Sequence, residues 1–156
     1  MNPLIRQFNR LQKRPFGSWL FSWAIGRRAP YFRSIRPRVE ALREGYGRVW
    51  MKNRRSVHNH LGTVHAIASC NLAEITAGLT IEASLPRHLR WIPIKMEVEY
   101  LKKATTDLYA ICEIDPVDWE QTPVLPLLVS IRNQDEAEVV RATISMKISA
   151  KKNKKA

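Results

Sequence analysis

Two cysteines, Cys70 and Cys112, are all that 156 residues hold. They are too few for a disulfide scaffold or a cysteine-rich zinc module, and they fit a reducing compartment. Glycine is scarce, six in all, which excludes a collagen-like chain. No apolar run approaches the ~20 residues that a helix needs to cross a bilayer. Acidic residues are missing from 1–39, a stretch with nine Lys/Arg. What remains is the mix of an ordinary globule, 45% apolar and 26% charged, at the length of one domain.

The net charge of +12 is unevenly spread. Residues 151–156 add four lysines, whereas 40–150 carry 13 basic and 14 acidic residues, a net of −1. The charge sits on the ends and the body is neutral. A nucleic-acid reader would carry its basic stripe on the folded face, so nucleic acid is not the expected partner. Three segments follow: a helical extension 1–38, a body 39–150 and a basic tail 151–156.

Leu4, Ile5, Phe8 and Leu11 recur at helical spacing. Phe16, Trp19, Leu20, Phe21, Trp23 and Ile25 then form a short aromatic run ending at Gly26-Arg27-Arg28. Such a run suits a helix docked on the body or on a second subunit. Peripheral membrane contact through residues 16–25 is the lesser alternative. The expected location is therefore cytoplasmic, with membrane association as an option. A cleaved targeting peptide is disfavoured, since no convincing small-x-small site follows.

In the body, Val39–Met51 reads as a strand with Gly45 and Gly47 flanking Tyr46, glycines that suggest a bulge or a close backbone approach. A polar loop, Ser56–Gly62, precedes a long helix, Thr63–Leu85. Thr63 is its expected cap, Pro86 its stop, and Val64, Ala68, Leu72, Ile75 and Leu79 one apolar stripe. The period then changes to two. Ile92–Tyr100, Leu108–Ile114, Leu125–Ile131 and Val140–Ile148 read as strands. One long helix against about five antiparallel strands is an α+β layer architecture.

Chemistry-bearing residues crowd the helix start: His58, Asn59, His60, Gly62, His65, Cys70, Asn71 and Glu74. Three readings compete. His58, His60, His65 and Glu74 could ligate zinc, although the helical His-x-x-x-His is missing. Cys70 could act as a nucleophile beside a histidine, but a cysteine inside a helix usually just packs. Glu74, a carboxylate on a mostly apolar helix, could activate water while amides at the helix start hold an oxyanion. Its bland alternative is a solvated glutamate. On a regular helix His65 and Glu74 lie on opposite faces, so two subunits would be needed to join them.

Asn59-x-x-Gly62-x-x-His65 followed by Leu72-Ala73-Glu74 resembles the helix entrance of hotdog-fold acyl-CoA thioesterases of the phenylacetate-pathway type. The six-residue Asn59–His65 step and the nine-residue His65–Glu74 step both agree. Val98-Glu99-Tyr100-Leu101-Lys102-Lys103-Ala104 resembles the end of that family's next strand. The extension with Ala29-Pro30-Tyr31-Phe32 resembles a bacterial branch of the superfamily. The resemblance implies a hotdog fold, a long central helix wrapped by a curved sheet, assembled as a homodimer or a tetramer of dimers. It implies hydrolysis of an acyl thioester carried by coenzyme A or acyl carrier protein, with no further cofactor and no metal. Glu74 would be the acidic base, Asn59 would position the water, and His65 with the Ala66 N–H would polarise the thioester carbonyl. Arg54, Arg55, Lys102 and Lys103 become candidates for the coenzyme A phosphates. Three departures stand out: His65-Ala66-Ile67 replaces His-Gly-Gly, the acid is Glu rather than Asp, and Pro93 occupies a Ser/Thr position. They leave a non-catalytic acyl-CoA or lipid-binding module as the rival reading.

Overall fold

The Asn2 side chain accepts a hydrogen bond from the Leu4 amide at 2.9 Å, and Pro3 occupies a first-turn position whose N–H would be unpaired anyway. These features start α1, Pro3–Gln12. The computed structural model describes residues 2–151, so the expected basic tail lies outside the described residues beyond Lys151. Ile5 and Phe8 of α1 are buried, and Phe8 meets Phe21 edge to face, centroids 5.0 Å apart. Phe21 belongs to α2, Gly17–Arg28, and a short 3-10 helix, Pro30–Ser34, leads from it to the sheet.

The sheet has six antiparallel strands: β1 Arg38–Arg43, β2 Tyr46–Met51, β3 Leu89–Tyr100, β4 Leu108–Glu113, β5 Val124–Arg132 and β6 Glu138–Ala150. They lie side by side in the order β1-β2-β4-β5-β6-β3. The expected count was about five. The difference arises at Val39–Met51, read as one strand, which folds back on Glu44-Gly45. Arg43 pairs with Tyr46, and Gly45 takes the turn at φ 71°. Alternation runs unbroken through so tight a hairpin, and Glu-Gly is a weak turn signal beside Asn-Gly or Asp-Gly.

Gly47 provides the close approach. A Cβ there would stand 2.2 Å from the Thr80 hydroxyl oxygen of the central helix. β2 therefore lies directly against that helix. Gly47→Ala is expected to destabilise the fold by about 1–3 kcal/mol, the scale of overpacking. Urea unfolding measures it, and an unchanged midpoint would mean that helix and strand part without cost.

The central helix, α3, spans Ala66–Ser84. It starts at His65, not Thr63. Thr63 is held in the preceding turn, where its amide reaches Asn59 Oδ1 and its hydroxyl accepts from Asn59 Nδ2. The single apolar stripe is also corrected. Leu72, Ala73, Ile75, Ala77, Leu79, Ile81 and Ala83 are all buried, with Ser69, Thr76 and Thr80 among them. A helix enclosed by a sheet and an N-terminal layer needs small or apolar residues nearly all round. Its hydroxyls cause no penalty, because Thr76 and Thr80 donate to the Leu72 and Thr76 carbonyls at 2.7 Å.

Among the described residues β3 pairs only with β6, and its other edge has no partner strand. The expected inward alternation of Ile92, Ile94, Met96, Val98 and Tyr100 holds only in part. A register shift between Pro93 and Lys95 breaks the alternation. Ile92, Ile94 and Tyr100 are exposed, while Met96 and Val98 are half-buried.

Candidate functional site

The loop before α3 is built by its own side chains. Asn59 Oδ1 accepts from the Leu61 and Thr63 amides at 2.9 and 3.2 Å, and its Nδ2 donates to Thr63 Oγ1 at 2.8 Å. Of the two Nδ2 hydrogens, one is left for another acceptor. His58 is tied to Asn53, whose Nδ2 donates to the Thr105 carbonyl at 2.7 Å. The Val64 amide donates to the Ala104 carbonyl at 2.9 Å. The helix entrance, Arg54-Arg55 and Lys102-Lys103 are thereby brought to one end of the molecule.

His65 caps α3 in an extended conformation, φ −64° and ψ 140°. Its Nδ1 accepts from the Ile67 amide at 3.0 Å. With Nδ1 accepting, Nε2 is the ring nitrogen that can donate, and the ring is exposed. Ala66 is the first helical residue, and its amide has no acceptor among the described residues. An N–H donor and a helix N-terminus thus stand together, an arrangement that favours developing negative charge.

The metal reading finds no convergence. Among the described residues no three His, Cys, Asp or Glu side chains gather as ligands, because His58 is held by Asn53 and His65 is spent on the cap. Cys70 meets the Tyr100 hydroxyl at 3.2 Å rather than a histidine. Cys112 is buried, and burial pushes its thiol up to about 12. The Tyr100 phenol is pushed up to about 12 as well, first by the Cys70 hydrogen bond, then by burial and by the Cys70 charge. Cys70→Ala is therefore expected to move part of the phenolate absorbance to lower pH, towards the ordinary value of ~10. A pH titration of tyrosinate absorbance reads this directly, and superimposable curves would refute the contact.

Glu74 lies nine positions beyond His65, about 13 Å along the axis and on the opposite side. One chain therefore does not bring Glu74 together with His65 and Ala66. The glutamate is half-buried and lines a half-open groove of about 1270 Å³ between the N-terminal helices and α3. Among the described residues, no cation pairs with its carboxylate. Phe21, Trp23, Phe32, Leu79 and Trp91 supply apolar walls, and Arg27, Arg28, Arg87 and Lys151 supply cations. Three positions before Glu74, the buried Asn71 donates to Ser34 Oγ at 3.0 Å and leaves its Oδ1 without a donor.

The coenzyme A candidates are unequal. Arg54 is committed to the Ser34 carbonyl at 2.8 Å, and burial with the neighbouring Arg36 holds its guanidinium below the ordinary value. Arg55, Lys102 and Lys103 are exposed. The groove cations were missed in the sequence, because they come from α2, the α3–β3 connection and the chain's end. No local pattern joins those segments.

The model of a family described as a domain of unknown function (DUF4442) matches residues 17–148. The crystal structure of a structural-genomics protein is 44% identical, covers 95% of this chain and 99% of its own, and superposes with a TM-score of 0.83. A probable thioesterase from Pseudomonas aeruginosa is 18% identical over 81% of this chain and 91% of its own, TM-score 0.74. A thioesterase from Haemophilus influenzae is 12% identical over 81% and 87%, TM-score 0.71. No curated protein matches the chain. The two distant likenesses establish the hotdog architecture of the sheet and its central helix.

Proposed function

We propose, for a chain that belongs to the DUF4442 family and carries the hotdog fold, that it hydrolyses an acyl thioester, with acyl-CoA as the leading substrate. The observation that carries the proposal is Glu74, a half-buried carboxylate without a cationic partner among the described residues, in the wall of a large groove lined by apolar and cationic side chains. Glu74 takes a proton from water as the water oxygen attacks the thioester carbon. The carbonyl oxygen becomes an oxyanion, held by the Ala66 N–H and by His65 Nε2–H of a second subunit. Collapse breaks the C–S bond, and the leaving sulfur takes the proton that Glu74 removed from water, so the thiol departs neutral and the carboxylate is restored. The acyl group leaves as a carboxylic acid. Asn59 fixes the turn that presents His65 and offers its spare amide hydrogen to the water.

A homodimer is part of the proposal, because one chain separates Glu74 from the helix entrance. The free edge of β3, with exposed Ile92, Ile94 and Tyr100, is the surface that supports such pairing. The groove exceeds the ~300–1,000 Å³ of ordinary small-molecule sites, which favours long or aromatic acyl groups. Arg55, Lys102, Lys103 and the groove cations are the candidates for the coenzyme A phosphates. The test is release of free thiol from short, long and aromatic acyl-CoAs and from an acyl carrier protein thioester. Release from one class names the carrier and acyl group. No release from any, with the groove still binding acyl-CoA, would leave a binding module.

A further inference from the structure

α2 turns an apolar face to solvent. Trp19, Leu20 and Trp23 share one side of the helix and Phe16 stands at its N-cap; Phe16, Trp19, Leu20 and Trp23 are 82%, 52%, 48% and 54% exposed. The opposite side, with Phe21 and Ser22, is buried. Phe16 protrudes from a left-handed conformation at φ 60°, a strained state for a bulky residue. Arg27 extends the stripe, its guanidinium 5.0 Å above the Trp23 ring.

The charges that the N-terminal helices themselves carry have one sign. Arg10, Lys13, Arg14, Arg27, Arg28 and Arg33 are exposed, and no acidic residue occurs before Glu40. Glu40 is itself paired with Arg38 and Arg48 at 2.7 and 3.0 Å. A second copy laid on this face would bring an equal set of positive charges against it. An anionic bilayer answers both features, since indole and phenyl rings settle at the headgroup level and basic residues meet lipid phosphates. No described helix is long and apolar enough to cross a membrane.

We infer that α2 docks this protein on the surface of an anionic lipid bilayer. Trp19 and Trp23 anchor it, and the surrounding arginines and lysine face the phosphates. Trp23, Arg27 and Arg28 also line the groove that holds Glu74, so the groove opens beside the docked face. Docking does not depend on hydrolysis.

The experiment is sedimentation of the full chain with vesicles of phosphatidylcholine alone or doped with phosphatidylglycerol. A Trp19→Ser/Trp23→Ser variant runs in parallel, with its fold checked by circular dichroism. Wild type should sediment with the doped vesicles, more weakly with neutral ones, and show a blue-shifted tryptophan emission. The variant should bind at least about tenfold more weakly. Failure of wild type to bind doped vesicles overturns the inference. Equal binding by the variant also overturns it and moves the contact elsewhere, for example to the terminal lysines. A fall in the variant's assembly mass without lipid would reassign the face to contact between copies.

Discussion

Glu74→Gln is expected to lower kcat for thioester hydrolysis by about 10²–10⁴, the usual contribution of a positioned general base. The amide keeps the size and polarity of the carboxylate but cannot take a proton at neutral pH. No described salt bridge involves Glu74, so the loss should not come from misfolding. Binding of a non-hydrolysable acyl-CoA analogue should stay within a few-fold of wild type, since the groove walls are unchanged. Steady-state kinetics and calorimetric binding separate the two effects. Turnover equal to wild type would place the base elsewhere.

Ala66→Pro is expected to cost about 10²–10³ in kcat, the loss seen when one oxyanion donor is removed. Proline is well suited to this position. It is the first residue of α3, where proline lacks only an N–H that no helix bond uses. His65 already has the extended φ and ψ that a following proline demands. The variant thus deletes one donor and spares the helix. Ala66→Gly, which restores the N–H, should recover most of the rate. Equal activity of all three would remove the Ala66 N–H from the mechanism.

The fold was legible where periodicity is strong. The change from helical spacing in 64–79 to alternation after Pro86 located α3 and the later strands, because burial on a helix and on a sheet imposes different periods. It misled where burial is not one-sided. α3 is enclosed on nearly all sides, so the stripe through Val64, Ala68 and Leu72 said little about which face matters. β3 is an edge strand with an irregular register, so Ile92 and Ile94 face outward. His65 and Glu74 stand out in the sequence as polar groups near the start of an apolar helix, whereas the Ala66 N–H and the roles of all three come from the resemblance to the thioesterases. The groove could not be read, because Phe32 and Trp91 meet there only after folding.

In the proposed dimer each site takes Glu74 from one subunit and the helix entrance from the other. Co-expression of Glu74→Gln and Ala66→Pro chains with different tags, and purification on both tags, isolates the mixed dimer. In that dimer one site is intact and the other carries both defects. The mixed dimer should release about half the wild-type thiol, although each parent variant alone is nearly inactive. Failure to isolate a mixed dimer, or a mixed dimer as inactive as its parents, would contradict a site shared between subunits.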